Sequence, residues 1–200
     1  DKLGAIAIDV RKDIVRMVGV SRTRGLASAL TIVDLLVYLY WECLRVYPDD
    51  RNRADRDRLV MSKGAAAPAL YACLAKLGFF HREELWSYRR LGAMLQGYPD
   101  IRTPGIDAPC GVHGGGVGIA SGLALAQRLD GIAARVFCIL GAGELREGVV
   151  WESLYAAAAD ALGHLVVIID AGEQADCADL IGKLTAFGCA AFEADGHDFD

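Results

Sequence analysis

The apolar positions change period along the chain, and the changes mark out its elements. Residues 136–140, Val-Phe-Cys-Ile-Leu, form an unbroken apolar run that stops at Gly141, as a strand buried on both faces does. From Glu147 the apolar residues Val150, Trp151, Leu154, Tyr155, Ala158 and Leu162 recur at intervals of three and four, and Gly163 stands where a helix C-cap belongs. Residues 165–170, Leu-Val-Val-Ile-Ile-Asp, read as a second buried strand. Strand, helix and strand make a βαβ unit, whose strands are parallel and whose crossover is right-handed. Ligands in such sheets sit at the carboxyl ends of the strands, which here are residues 141–144 and 170–172.

The rest of the pattern is read in the same way. Residues 3–17 predict an amphipathic helix, residues 19–28 a loop rich in Arg and small residues, and residues 31–44 a buried helix with Thr31 as its cap. A polar connection at 49–57 leads to a strand from Arg58 that ends at Lys63-Gly64, followed by a helix over 65–77 with Pro68 in its first turn. Residues 80–91 predict a shorter helix, and residues 96–111, with Pro99, Pro104 and Pro109, a long irregular loop. A glycine turn at 111–118 feeds a helix over 119–128, and Cys189 to Asp195 reads as one more strand of the same sheet.

Two hundred residues, 54% of them hydrophobic, suit a single domain spanning 1–200 with ample core. A net charge of −5 without a basic stripe argues against nucleic acid as a partner. The N-terminal stretch carries charges throughout, so it reads as neither signal peptide nor membrane span. Six cysteines without CxxC spacing read as reduced thiols, and the expected compartment is cytoplasmic.

The candidate chemistry narrows by exclusion. Gly141-Ala142-Gly143 follows a strand, but Arg146 stands where a dinucleotide fingerprint needs its third glycine. His113-Gly114-Gly115-Gly116 has no GxSxG to serve as an oxyanion loop, and Cys110 with His113 lacks an orienting carboxylate. His81, His113, His164 and His197 are isolated from one another and from any acidic cluster. The turn over 111–118 can either bring backbone N–H groups to an anion or let a small-residue helix pack closely; both readings stay open.

Residues 55–80, the stretch RRLGAMLQGYPDIRTPGID, the run ILGAGELREGVVWESLYAAA and the closing FEADGHDF together resemble the N-terminal, diphosphate-binding half of transketolase, in order and over nearly the whole chain. The resemblance implies an α/β domain with a doubly wound, mostly parallel sheet flanked by helices, the thiamine-diphosphate-binding fold. It also implies thiamine diphosphate and Mg²⁺, held between this half and a second half that carries the pyrimidine ring and an activating glutamate. That second half is absent from the sequence, so a complete site requires another polypeptide.

The departures from the family are concentrated in the site. The family's two metal-binding side chains fall at Ala142 and Gly172, which offer no oxygen, so the expectation is no metal ligand and a chain that does not itself hold the cofactor. Backbone carbonyls such as that of Gln174 are too few to replace them. The three family histidines fall at Gly25, Ala65 and Tyr98, which leaves no catalytic residue assigned. The degenerate diphosphate site comprises Gly111, Gly114, Gly116, Gly141, Ala142, Gly143, Glu144 and Gly172, and the segment after Asp170 is shorter than the family's. Glu147 and Glu152 remain, at positions that in the family face a neighbouring protomer; the alternative is a solvated helix face.

The pattern implies a pseudo-subunit of a split, heteromeric transketolase-type complex with a structural or regulatory role. Its partner would be a C-terminal-half subunit, an intact paralogue, or both, as a hetero-oligomer or homodimer. The alternatives are an active ketol (two-carbon) transferase subunit with a non-standard site, in which Arg22, Arg24 or Lys63 supplies charge, and a cleft reshaped for another phosphorylated metabolite. The family's half continues further, which leaves truncation after Asp200 open.

Overall fold

The computed structural model describes residues 2–172 and 179–199. Three parallel strands, β1 (Arg58–Met61), β2 (Val136–Gly141) and β3 (Leu165–Asp170), lie in the order β1-β2-β3. Arg58 pairs with Val136, and Val136 with Leu165, so the strands start level. Their ends therefore converge at one edge, where Gly141 stands opposite Asp170.

Alternation along the strands splits the core in two. Leu59, Met61, Phe137 and Ile139 face one way, onto α1 (Lys2–Ser21), α3 (Val33–Tyr38) and α4 (Ala67–Leu77). Val60, Val136, Cys138 and Leu140 face the other, onto α5 (Gly115–Leu129) and α6 (Gly148–Ala159). Each fully buried Leu or Ile contributes roughly 1.5–3 kcal/mol relative to exposure. Helices on both faces make the sheet doubly wound, and the βαβ unit read from the sequence is β2-α6-β3.

A third cluster, with Tyr71, Leu85, Tyr88 and Leu95, underlies the long loop. The Tyr71 hydroxyl stands 3.0 Å from the carbonyls of both Gln96 and Tyr98, and Asp107 is held by Arg58 at 3.2 Å and by the Leu59 N–H at 3.0 Å. The loop is thus anchored at two points, which fixes Tyr98.

Several expected elements differ. The loop at 19–28 contains a short helix, α2 (Leu26–Leu30), which starts after Gly25 in the left-handed region. The helix expected over 31–44 begins after Ile32 and changes over Leu39–Cys43 into a π-turn, with the Leu44 N–H donating to Leu39. Thr31 caps nothing there. Residues 80–91 form only a 3-10 segment, Arg82–Ser87, and α5 starts four residues earlier than expected. Cys189 to Asp195 is not a strand: it pairs with none of β1, β2 and β3, and Phe192 is 86% exposed. The remaining helix is α7 (Leu180–Ala186), and no helix among the described residues is long and apolar enough to cross a membrane.

Candidate functional site

The carboxyl edge of the sheet, the turn after β1 and the glycine turn before α5 enclose an open cleft of about 210 Å³. Lys63, Ala65, Tyr98, Gly111 and His113 line it, and Gly141, Gly143 and Glu144 form its other side. Of the sequence-derived positions, Ala65, Tyr98, Gly111, Gly141, Gly143 and Glu144 thus meet at the strand ends, with Ser28 added from α2, while Gly25, Gly114, Gly116, Ala142 and Gly172 do not line the cleft.

Glu144 holds this edge in shape. It is 3% exposed, and both oxygens accept hydrogen bonds. Oε1 takes the Ser62 hydroxyl at 2.5 Å and the Gly114 N–H at 3.0 Å, while Oε2 takes the Gly141 N–H at 2.7 Å. One side chain therefore joins the end of β1, the glycine turn and the end of β2. Two of the backbone donors expected to face an anion already face this carboxylate.

A second polar group lies beside it. Lys63 Nζ stands 2.5 Å from Asp170 Oδ2 and 2.9 Å from Thr31 Oγ1, and Thr31 Oγ1 donates to the same Asp170 oxygen at 3.0 Å. Burial works to raise the Asp170 carboxyl, but the hydrogen bond and charge of Lys63 outweigh it and hold it below the usual carboxylate value. The Lys63 stem crosses Gly141, where a Cβ would come within 3.3 Å of it.

The three positions expected for family histidines, Gly25, Ala65 and Tyr98, differ in their surroundings. Gly25 has φ +107°, and a Cβ there would lie 2.9 Å from the Ala65 carbonyl oxygen, so the backbone excludes a side chain at that point. Ala65 is exposed in the turn Gly64–Ala66, and the Tyr98 ring lies against Gly64. Gly116 packs its α-carbon against Ser62, the close approach that a small-residue helix allows.

Ala142 opens the 3-10 segment Ala142–Arg146, next to Gly141, while Gly172 follows Asp170 on the neighbouring strand. Among the described residues, a Cβ at Gly172 or at Gly143 would meet nothing within 4 Å. Among the described residues no three His, Cys, Asp or Glu side chains gather as a metal site requires. Gln174 lies outside the described residues.

Cys110 and His113 form no nucleophilic pair. Burial, with the Glu144 charge adding, pushes the Cys110 thiol up to about 11, and its Sγ faces the Ser62 carbonyl at 3.4 Å. His113 points outward and stands 3.8 Å from Glu147, both side chains being largely exposed. Glu147 precedes α6 and Glu152 lies on its exposed face. Sequence reading overlooked Ser28 in the lining of the cleft, and Thr31 and the Asp170 side chain as partners of Lys63; the one available signal was an acid at the carboxyl end of an apolar strand.

The comparisons with known proteins agree with this geometry. The family model described as transketolase, thiamine diphosphate binding domain, matches residues 13–179. The chain belongs to that transketolase family. It is 32% identical over 199 residues to an apulose-4-phosphate transketolase subunit of Phocaeicola vulgatus, covering 95% of this chain and 71% of that protein. Against the 6-deoxy-6-sulfo-D-fructose transketolase subunit SqwG of a Clostridium species the identity is 35%, with 96% and 73% covered. The solved transketolase of Campylobacter jejuni superposes with a TM-score of 0.90 at 28% identity, over 98% of this chain and 34% of that one. This transketolase-family chain thus spans about a third of that solved transketolase, and most of the length of the two relatives that are single subunits. The family description implies thiamine diphosphate binding, and relatives whose names make them one subunit among others imply a partner chain.

Proposed function

We propose that this chain is the N-terminal-half subunit of a heteromeric, split transketolase-type complex, and that it serves as a pseudo-subunit with a structural or regulatory role. One observation carries the second part: at the carboxyl edge of the sheet, Ala142 and Gly172 present a methyl group and a hydrogen where a metal-bridged diphosphate needs oxygen ligands. The neighbouring carboxylates are committed, Asp170 to Lys63 and Thr31, and Glu144 to three donors. The residues present do not fit Mg²⁺ with thiamine diphosphate, and no step is assigned through that group.

The partner in this reading is a C-terminal-half subunit or an intact paralogue, docked on the side where Glu147, Val149, Glu152 and Tyr155 are exposed. A chain made alone would self-associate through that apolar surface. Co-expression with the complementary half-subunit encoded beside it, followed by analytical ultracentrifugation, tests the assembly. A stable heteromer weakened by reversing the charges of Glu147 and Glu152 supports it, and two non-interacting monomers overturn it.

A second reading, an active thiamine-diphosphate-dependent ketol transferase subunit completed by its partner, draws on the open cleft and on the Lys63 ammonium within it. Calorimetric titration of thiamine diphosphate with Mg²⁺ into the complex separates the two. Binding that Lys63→Ala abolishes favours the active enzyme, and no binding favours the pseudo-subunit.

A further inference from the structure

After α7 the chain forms no helix or strand up to Phe199, and over that stretch it changes sides of the sheet. Phe187 lies against Trp151 with ring centroids 5.1 Å apart, and Cys189 and Ala191 pack against the cluster on the α5 and α6 side. Phe199 packs against the other cluster, on the α1 and α3 side. The β1 edge is taken by the long loop, where Asp107 accepts the Leu59 N–H at 3.0 Å, so the crossing runs past β3. It pairs with no strand there, and residues 192–198 are all exposed.

Where it arrives, the segment meets a buried carboxylate. His197 Nδ1 stands 2.8 Å from Asp34 Oδ2; the Asp34 side chain is 10% exposed and the imidazole 63%. Arg11 reaches the same carboxylate from α1, at 2.9 Å and 2.6 Å. Asp195 accepts the His197 backbone N–H at 2.9 Å and turns the chain toward this contact. Arg11, Asp34 and Asp195 are thus the charged groups around the imidazole. Burial works to raise the Asp34 carboxyl, but the hydrogen bonds of Arg11 and His197 outweigh it and hold it below the usual carboxylate value. Asp34 therefore stays ionised through the range of about pH 5 to 8 in which histidines change charge.

We propose that residues 187–199 form a strap across the β3 side of the sheet, fastened while His197 carries a proton against Asp34 and loosened when the imidazole is neutral. The proton adds attraction to Asp34 and Asp195, opposed in part by Arg11, which shares the Asp34 carboxylate. The strap is accordingly firmer at low pH, and its hold weakens as pH rises through the histidine range. Because the imidazole is largely exposed, water screens the pair, and the change in opening is about two- to fivefold. Opening begins at the half-buried Phe199, since Phe187 is held by Trp151, and it bares the flank of β3. The strap stands apart from the proposed function, and either can fail without the other.

The test is fluorine NMR on the full chain labelled with fluorophenylalanine, with the Phe187 and Phe199 signals assigned by Phe→Leu substitution. Between pH 5.5 and 8 the released fraction read from Phe199 should rise about two- to fivefold, while Phe187 stays fixed and so reports that the fold is intact. His197→Gln keeps a hydrogen-bonding group and removes the titration, so its Phe199 signal should not follow pH. The contact lies at an exposed position, so this variant is expected to fold. A Phe199 signal that ignores pH in the unaltered chain, one that follows pH equally in His197→Gln, or a released fraction that falls as pH rises overturns the proposal.

Discussion

Lys63 follows β1 and Asp170 ends β3, strands that do not touch, yet their side chains meet at 2.5 Å across the end of the strand between them. The pair is well buried, at 16% and 15% side-chain exposure. Removing one partner of such a pair leaves an uncompensated charge and costs about 3 kcal/mol or more. Lys63→Met should lower the urea midpoint accordingly, and Lys63→Met with Asp170→Asn should cost less than the two single changes together. A midpoint unchanged in Lys63→Met would mean the ion pair does not hold the sheet edge.

Acid should unfold the protein through its paired aspartates. Burial works to raise the Asp57 carboxyl, but hydrogen bonds from Arg45 and Arg135 outweigh it, so its folded value lies below the unfolded one; Asp34 and Asp170 shift in the same direction. A lowered carboxyl contributes stability that is present above the unfolded value and lost as pH falls through the folded one. Thermal melts should be flat from about pH 7 to 5 and fall below about pH 4, and Asp57→Asn should flatten that fall. Rising stability toward pH 3 would contradict the assignment.

Two glycines of the cleft should respond in opposite ways to the same change. Gly114 has φ +74°, and a Cβ there would lie 2.7 Å from Val150 Cγ2 and 3.1 Å from Glu147 Cβ. Gly114→Ala should destabilise by about 2 kcal/mol or more. Gly143, with nothing within 4 Å of a Cβ, should accept Ala within about 0.5 kcal/mol. Equal losses in calorimetric melting would show that the turn before α5 yields.

Ala142 and Gly172, where the resemblance expects metal-binding side chains, allow that expectation to be tested by putting oxygens there. Gly172 has φ +58°, which Asn tolerates better than most residues, and among the described residues nothing lies within 4 Å of its Cβ direction. Ala142→Asp with Gly172→Asn should confer Mn²⁺ binding, read by electron paramagnetic resonance, that the unaltered chain lacks. Equal Mn²⁺ signals from both proteins would place any metal affinity elsewhere.

The fold was legible because period and burial agree. The unbroken apolar runs at 136–140 and 165–170 became the centre and edge of the sheet, and the three-and-four spacing after Glu147 became α6. What the periodicity could not show was partnership. Cys189 to Asp195 reads as a strand but pairs with none among the described residues, and Thr31 looks like a cap while its hydroxyl serves Lys63 and Asp170 instead. The Glu144 brace joins residues 82 and 30 positions away, a relationship no local pattern encodes. The glycines were found as a group because a turn between a strand and a helix is local. Which of their N–H groups are already engaged is not.

β3 has one consequence for the life of the molecule. It is an apolar strand at the sheet edge, its residues half covered and Val166 37% exposed. Such an edge templates pairing with other chains until something covers it. Newly made copies that find no cover are the ones that chaperones retain and proteases remove, so the steady amount of this chain would follow the supply of whatever shields that strand rather than its own rate of synthesis.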